Sequence, residues 1–263
     1  MTSRTPQSSW FRESFNDDYR RLYAARDQSQ ADAEVACVVD ALQIGPQDQV
    51  LDLCCGFGRH LRSLGRRGVP AVGLDLSLLL LHDAATSHES DGAAPRKRLR
   101  VVRGDMRQLP FAGGTRGFSV VVNFFTSFGY FESDADHVRV VRELARVLRP
   151  QGRFSMDLMN PGPTVRNLLP TTERRVGELR VVESRRYDAQ RCRIEKRTQV
   201  VSSSPGESRE YFESVRLFKR NEITLLLDTA GLQVDRVLGD FSGLPFSAES
   251  SRMILLGSKG SCE

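Results

Sequence analysis

Residues 50–60, VLDLCCGFGRH, constrain the fold of this chain more than any other stretch. They read as a short apolar strand that runs into a glycine-bearing turn and then into a helix that opens near Arg59. Gly56 and Gly58 allow the backbone to turn tightly and to approach a ligand closely. Because the first N–H groups of a helix are free, the turn predicts a binding site for a nucleoside.

Asp52 stands in the strand just before this turn. A carboxylate there would repel a pyrophosphate, but it would favour a ligand that carries an ammonium or sulfonium group. A dinucleotide fingerprint would also need a third glycine, and Leu61 occupies that position. A nicotinamide-dependent oxidoreductase is therefore kept only as an alternative.

The rest of residues 46–160 alternates between strands and helices. Apolar strands are predicted at residues 50–53, 71–74, 99–103, 118–124 and 154–159, with helical patterns between most of them. Such alternation predicts a parallel sheet with right-handed crossovers, in which ligands bind outside the carboxyl ends of the strands. Asp75, Asp105 and Asn123 all fall at that edge, and Asp75 is placed to accept the two hydroxyls of a ribose.

The remaining segments complete the predicted fold. Residues 1–45 should form an N-terminal helical cover, and residues 161–220 show period-two segments that predict a three-stranded antiparallel insert. A helix and two last strands in residues 221–260 return to the main sheet. The predicted fold class is α/β, a Rossmann-like, seven-stranded, mostly parallel sheet with one antiparallel strand near the C-terminus.

Five motifs in order resemble the class I S-adenosylmethionine-dependent methyltransferases. They are VLDLCCGFGRH, VGLDLS, GDMRQLPF, VVNFFTSFGYF and RVLRPQGRFSMDLMN, which together cover about residues 45–160. The resemblance implies S-adenosyl-L-methionine as the cofactor. It also implies methyl transfer by in-line displacement at the sulfonium methyl.

The resemblance further implies roles for single residues around the first turn. Asp52 and the turn with Cys54, Gly56 and Gly58 would hold the methionine end of the cofactor, and Asp75 would take the ribose hydroxyls. The family has glycine where this chain has Cys54, so this side chain would either crowd the cofactor or force a particular backbone.

The same carry-over concerns the adenine ring and the methyl group. Asp105 would accept a hydrogen bond from the adenine amino group, with Leu76 and Met106 on the two faces of the ring. Asn123 and Phe124 would lie beside the sulfonium, where the methyl leaves.

Other side chains are candidates by position alone. Tyr19 and Tyr23 lie on a predicted helix of the cover, where they either close over a bound ligand or pack against the sheet edge. His137 opens the helix after the fourth strand and is a candidate catalytic base, with a capping or surface role as the alternative. Tyr130, in the aromatic turn, is a second catalytic candidate. For His60, packing or a contact with the cofactor carboxylate is expected rather than base work.

Composition bears on the acceptor. The formal net charge is +5, but the arginines are scattered instead of massed on one face, which disfavours a nucleic-acid partner. The turn NFFTS also lacks the Asn/Asp-Pro-Pro-aromatic pattern of many base-modifying enzymes. The expected acceptor is therefore a small molecule. An RNA or other nucleic-acid methyltransferase and a non-catalytic cofactor-binding module remain alternatives.

The cysteine spacing and the lengths of the apolar stretches bear on the compartment and the partners. The 5 cysteines show no paired spacing typical of zinc or of a disulfide framework, so a reducing, cytoplasmic location and no metal are expected. No stretch approaches the length of an apolar membrane span, so no membrane association is expected. Both a monomer and a homodimer are compatible with the sequence.

Overall fold

The computed structural model describes residues 9–23, 28–86, 99–202 and 208–260. Residues 1–8 and 24–27 of the predicted cover therefore lie outside the described residues. In chain order the elements are α1 (Asp17–Tyr23), α2 (Gln28–Leu42), β1 (Val50–Leu53), α3 (Arg59–Arg66), β2 (Ala71–Asp75), α4 (Leu78–Thr86), β3 (Arg100–Arg103), β4 (Phe118–Asn123), α5 (Asp134–Val147), β5 (Leu148–Met159), α6 (Pro161–Arg166), β6 (Thr171–Val176), β7 (Leu179–Asp188), β8 (Arg193–Val201), β9 (Ser208–Arg216), α7 (Arg220–Asp228), β10 (Leu232–Leu238) and β11 (Arg252–Lys259). Short 3-10 helices cover Trp10–Arg12 and Gly114–Arg116.

Seven strands form the main sheet in the order β10-β11-β5-β4-β1-β2-β3. The pairs among β1 to β5 are all parallel, whereas β11 runs antiparallel to both of its neighbours. The predicted α/β fold with one antiparallel strand near the C-terminus is confirmed. The strand order reverses between β1 and β4, and a crevice for ligands opens at such a switch point.

Both faces of this sheet are covered, and β4 shows how. Val121 packs with residues of α5 and α7, whereas Val120 and Val122 pack with residues of α2 on the opposite face. All three valines have no exposed surface. A strand buried on both faces reads as a continuous apolar run, which is why the sequence predicted it. The carboxyl ends of β1 and β4 are thereby fixed in a well-packed frame.

A second sheet has the order β6-β7-β8-β9 and is antiparallel throughout. The expected three-stranded insert is corrected to four strands, because Thr171–Val176 pairs with β7 across a turn at Gly177. This strand, TTERRV, has no buried residue and no apolar alternation. Its pairing is supplied by its neighbour, so period-two reading could not detect it.

Candidate active site

A cavity opens at the carboxyl ends of β1 to β4. Its wall is built from the N-terminal segment, the turn after β1, the ends of β2 and β3, and the aromatic turn after β4. The predicted cofactor-binding residues that line it are Tyr19, Cys54, Gly56, Asp75, Leu76, Asp105, Met106 and Phe124. Tyr130, one of the two catalytic candidates, also lines it. These residues are distant in sequence. They meet because the carboxyl ends of the parallel strands lie on the same side of the sheet.

Four other predicted cofactor residues do not line the cavity. Gly58 is the N-cap of α3, with φ +80°, and an added Cβ would come within 2.9 Å of Leu99. Asn123 is buried and donates a hydrogen bond of 2.7 Å from Nδ2 to the carbonyl of Leu53, which ties the ends of β4 and β1 together. Tyr23 faces the second sheet. Asp52, the fourth, lies buried in β1 beneath the turn.

Asp52 is a buried carboxylate with an unsatisfied oxygen. It is 1% exposed, and its Oδ2 has no hydrogen-bond partner among the described residues. Burial and the nearby Asp75 carboxylate raise the pKa of Asp52 to about 7, although the Arg59 guanidinium opposes the rise. A buried carboxylate next to the cavity fits a cationic ligand group, because the positive charge of such a group would compensate the carboxylate charge.

Asp75 ends β2 with its carboxylate held from both sides. Oδ2 accepts a hydrogen bond of 2.9 Å from the amide of Gly56, and Oδ1 accepts one of 2.9 Å from the amide of Ser77. Burial raises the pKa of Asp75, and these backbone donors oppose the rise. The carboxylate is therefore preorganised beside the glycine turn, at the position expected to receive ribose hydroxyls.

Cys54 adopts a left-handed backbone with φ +65°, and Gly56 is left-handed as well. A side chain at such an angle is strained, which explains why the family pattern has glycine at this position. The Sγ of Cys54 lies 3.8 Å from the Sδ of Met106, so the two sulfur atoms form part of one cavity wall. Burial raises the pKa of the Cys54 thiol well above its usual value, as expected for a packing residue.

Asp105 lines the cavity with its carboxylate already paired. Arg107 donates to it from Nη2 at 2.7 Å and from Nε at 3.1 Å. Burial would raise the pKa of Asp105, but these hydrogen bonds outweigh it and hold the pKa below its usual value. The guanidinium of Arg107 also lies 4.5 Å from the ring centroid of Phe131. The sequence did not predict Arg107, although it stands two residues after Asp105.

Aromatic rings close one side of the cavity. The ring centroid of Tyr130 is 5.0 Å from that of Trp10 and 5.8 Å from that of Phe15, and Phe15 is 4.9 Å from Tyr19. Burial raises the pKa of Tyr130 well above its usual value. Its hydroxyl therefore stays protonated near neutral pH, when it can donate a hydrogen bond but is a poor base. Phe11 and Phe15 were not predicted as lining residues.

The structure does not support the expected role of His137 as a catalytic base. The side chain is fully buried among Phe128, Phe131 and Phe218, and it is not part of the cavity wall. Its burial lowers the pKa to about 4, although the Asp134 carboxylate, with an oxygen 3.5 Å from Nδ1, opposes the shift. The reason is the orientation of α5, which turns the first-turn histidine toward the core.

Two residues at the start of α3 also line the cavity: Arg59, which was not predicted to bind the cofactor, and His60, for which packing or a contact with the cofactor carboxylate was expected. Arg59 and His60 are each 6% exposed. The Nε2 of His60 lies 2.7 Å from a carboxylate oxygen of Glu34, and its ring stacks on Phe124 with 4.1 Å between centroids. Burial lowers the pKa of His60, and Glu34 opposes this. The packing expected for His60 is present, whereas the contact with Glu34 joins residues 26 apart in sequence.

Residues 50–152 match a family described as "Methyltransferase domain". The chain is 38% identical to a demethylmenaquinone methyltransferase of Mycolicibacterium vanbaalenii over 115 residues. These residues make up 44% of this chain and 43% of that protein. A demethylmenaquinone methyltransferase of Thermobifida fusca is 37% identical over 135 residues, 51% of this chain and 52% of the relative. The chain thus spans about half, or less, of the curated relatives that it matches.

Solved structures extend the likeness to the whole fold. The CcbJ methyltransferase from Streptomyces caelestis has a TM-score of 0.76 at 21% identity and covers 95% of this chain and 98% of its own. An S-adenosylmethionine-dependent methyltransferase from Clostridium acetobutylicum gives 0.74 at 17% identity, with 95% and 99% covered. At these identities the likeness concerns the fold alone. The match of residues 50–152 identifies this part of the chain as a methyltransferase domain, and the fold of the described residues is similar to that of S-adenosylmethionine-dependent methyltransferases.

Proposed function

We propose that the protein binds S-adenosyl-L-methionine in this cavity and transfers the methyl group to a small-molecule acceptor. The observation that carries the proposal is the buried Asp52 carboxylate, whose Oδ2 has no hydrogen-bond partner among the described residues. A site for a phosphate-bearing ligand would not place an unsatisfied acceptor there. The family match at residues 50–152 supports the same conclusion.

The methionine end and the ribose would lie around the turn after β1. Asp52 would attract the ammonium group, and Arg59, which is buried in the same wall, is suited to the carboxylate. Gly56 and Gly58 shape the turn, and Cys54 forms its cavity side. Asp75, fixed by two backbone amides, would accept the ribose hydroxyls.

The adenine ring and the transferred methyl would lie farther along the strand ends. Leu76 and Met106 line the cavity where they could contact the two ring faces, and Asp105 offers an acceptor to the amino group. Phe124 would flank the sulfonium, while Asn123 would act from behind by fixing the ends of β4 and β1.

When bound, the cofactor supplies a methyl group activated by the positive sulfur. The residues of this chain would then align the acceptor and exclude water, since the wall formed by Phe15, Tyr19 and Tyr130 is aromatic. The protonated Tyr130 can donate a hydrogen bond to an acceptor atom. A base is needed only if the acceptor must lose its proton early, and neutral His60 is then the candidate in the wall.

The aromatic wall supports a small acceptor over a nucleic acid. A nucleic acid would need a basic groove, and Arg59 is the one arginine among the residues that line the cavity. A nicotinamide cofactor is not favoured. The third glycine of the dinucleotide-binding fingerprint lets the helix pack closely on the strand. This chain has Leu61 at that position, and its side chain packs beside Gly73 of β2. Within the described ranges, no helix is long and apolar enough to span a membrane. The proposal includes a cytoplasmic location, since the described cysteines are free thiols.

Mass spectrometry of metabolite extracts incubated with the protein and S-adenosylmethionine tests this proposal. We expect a product that is heavier by one CH2 group and that forms together with S-adenosylhomocysteine. A parallel incubation with RNA at low and high salt tests the alternative acceptor class. Methylated RNA and a steep salt dependence of RNA binding, without a small-molecule product, would contradict the proposal.

A further inference from the structure

Helix α1 is fastened to the second sheet by a buried carboxylate. The side chain of Asp18 is 1% exposed. Its Oδ2 accepts a hydrogen bond of 2.6 Å from the hydroxyl of Tyr211 and lies 3.0 Å from the Nε of Arg209. Both partners belong to β9. Because breaking a buried charge-assisted contact leaves an uncompensated charge, this contact fixes α1 against β9 strongly.

Lys196 makes a second polar contact between the second sheet and α1, at the last residue of the helix. Lys196 lies on β8 with a side chain that is 16% exposed, and its Nζ is 2.7 Å from a carboxylate oxygen of Glu213. The same Nζ donates a hydrogen bond of 3.2 Å to the hydroxyl of Tyr23. Burial alone would lower the pKa of Lys196, but Glu213 and Tyr23 raise it to about 12. The ammonium therefore stays charged at all physiological pH values.

Apolar packing and a backbone contact join the same segments. Leu22 packs with Val181 and Val200, two residues of the second sheet with no exposed surface. Ahead of the helix, the hydroxyl of Ser14 donates a hydrogen bond of 2.9 Å to the carbonyl of Phe212. One side of residues 14–23 is thus bound to the second sheet along its length.

The other side of this segment faces the cavity. Phe15 and Tyr19 both line it. The carbonyl of Phe15 accepts a hydrogen bond of 2.9 Å from the hydroxyl of Ser77, which stands at the start of α4. The Tyr19 ring lies between those of Phe15 and Tyr23, at 4.9 Å and 4.6 Å between centroids. The contacts that Tyr23 and Asp18 make with the second sheet therefore also fix the positions of Phe15 and Tyr19.

We infer that Lys196 and Tyr211 are positioning residues for cofactor binding, which hold α1 so that Phe15 and Tyr19 cover the cavity. The second sheet then has a defined role, since it fixes the cover from outside without touching the cofactor. This inference rests on the proposed function. Its consequence is that the second sheet controls how long the cofactor stays bound.

Dissociation of S-adenosylhomocysteine, followed by stopped-flow fluorescence, tests this role. The chain has 1 tryptophan, Trp10, whose ring packs against Phe15 and Tyr130 and so reports on the cover. We expect Lys196→Met and Tyr211→Phe to release the ligand about tenfold faster, because each loses a charged hydrogen bond to α1. Lys196→Arg, which keeps the charge, should restore most of the slow release.

Arg197→Met is the matched control. Arg197 follows Lys196 on β8 but points the other way, and its side chain is 48% exposed in an ion pair with Glu210. Exposed pairs of this kind contribute little, so the release rate should stay that of the wild type. Thermal unfolding shows whether each variant is folded; if Lys196→Met is not, Tyr211→Phe decides alone, since it removes a single hydroxyl.

The outcomes separate the two proposals. Wild-type protein that does not bind S-adenosylhomocysteine would overturn the proposed function, and the positioning role with it. If the wild type binds but the folded Tyr211→Phe and Lys196→Met variants release the ligand at the wild-type rate, only the positioning role is overturned. Equal acceleration by Arg197→Met would also overturn it, because the effect would then not depend on α1.

Discussion

The carboxylate of Asp75 accepts a hydrogen bond of 2.9 Å from the backbone amide of Gly56, which links the end of β2 to the turn after β1. The two elements are neighbours in the sheet, so the contact fixes an acceptor next to a backbone that a ligand can approach. The acceptor and the turn are thus set before any ligand arrives. Such preorganisation lowers the cost of binding a nucleoside.

Replacing Asp75 with alanine should weaken binding of S-adenosylhomocysteine by about 1.5 to 3 kcal/mol, the usual loss for a charged hydrogen-bond acceptor. Isothermal titration calorimetry measures the change. Asp235→Ala is a suitable control, because Asp235 is an exposed residue of β10 on the other edge of the sheet. An unchanged affinity in folded Asp75→Ala protein would remove Asp75 from the ribose site.

Binding should depend on pH through Asp52. Its pKa is raised to about 7 in the free protein, so below that pH the group is largely protonated and neutral. A ligand ammonium favours the ionised form, so binding releases a proton, and affinity should fall about tenfold per pH unit below 7. Above pH 7 the affinity should level off. Asp52→Asn should bind more weakly and lose this dependence; a wild-type affinity that is flat from pH 5 to 8 would argue against the ionised Asp52.

His137 should matter for acid stability and not for catalysis. Its folded pKa is lowered to about 4 from an ordinary value of 6.5, so the neutral form stabilises the fold above pH 6.5. That contribution is lost as the pH falls from 6.5 toward 4. His137→Phe should therefore flatten the decline of the melting temperature over this range, while S-adenosylhomocysteine binds with the affinity of the wild type. A variant that folds but loses methyl transfer would return His137 to the catalytic candidates.

The contrast between Asp75 and His137 shows what the sequence could predict. A carboxylate directly after an apolar strand must lie where the parallel strands have their carboxyl ends, so the position of Asp75 followed from chain order. His137 was expected near the acceptor because its position in the helical repeat, relative to the apolar residues of α5, was not considered. It lies on the buried stripe of α5 with Val140, Val141 and Leu144, at spacings of three, four and seven residues.

Other parts of the site depend on contacts that local patterns do not encode. The contact of His60 with Glu34 and the fastening of Asp18 by Tyr211 join residues that are 26 and 193 positions apart. Neither follows from periodicity, because each needs the relative placement of two elements. The pairing of Arg107 with Asp105 is local, but it depends on the conformation of the turn after β3.

Cys54→Gly should be tolerated and should stabilise the protein. The left-handed backbone at this position, with φ +65°, costs a non-glycine residue about 1 to 2 kcal/mol, and glycine avoids that cost. Loss of the contact with Met106 offsets part of the gain, so we expect a net gain of about 1 kcal/mol in the free energy of unfolding. Chemical denaturation measures it. A clear loss of stability would mean that the thiol packs more strongly than its backbone is strained.

We propose above that the cavity at the ends of β1 to β4 binds a cationic, phosphate-free nucleoside cofactor. Calorimetric titration of the wild-type chain with S-adenosylmethionine and with S-adenosylhomocysteine, each at low and high salt, tests it most directly. We predict saturable binding of both ligands at one site per chain, with little dependence on salt because Asp52 and Arg59 are buried and Asp75 is half-buried. Absence of binding by both ligands to the folded protein would show that the cavity is not a site for this cofactor.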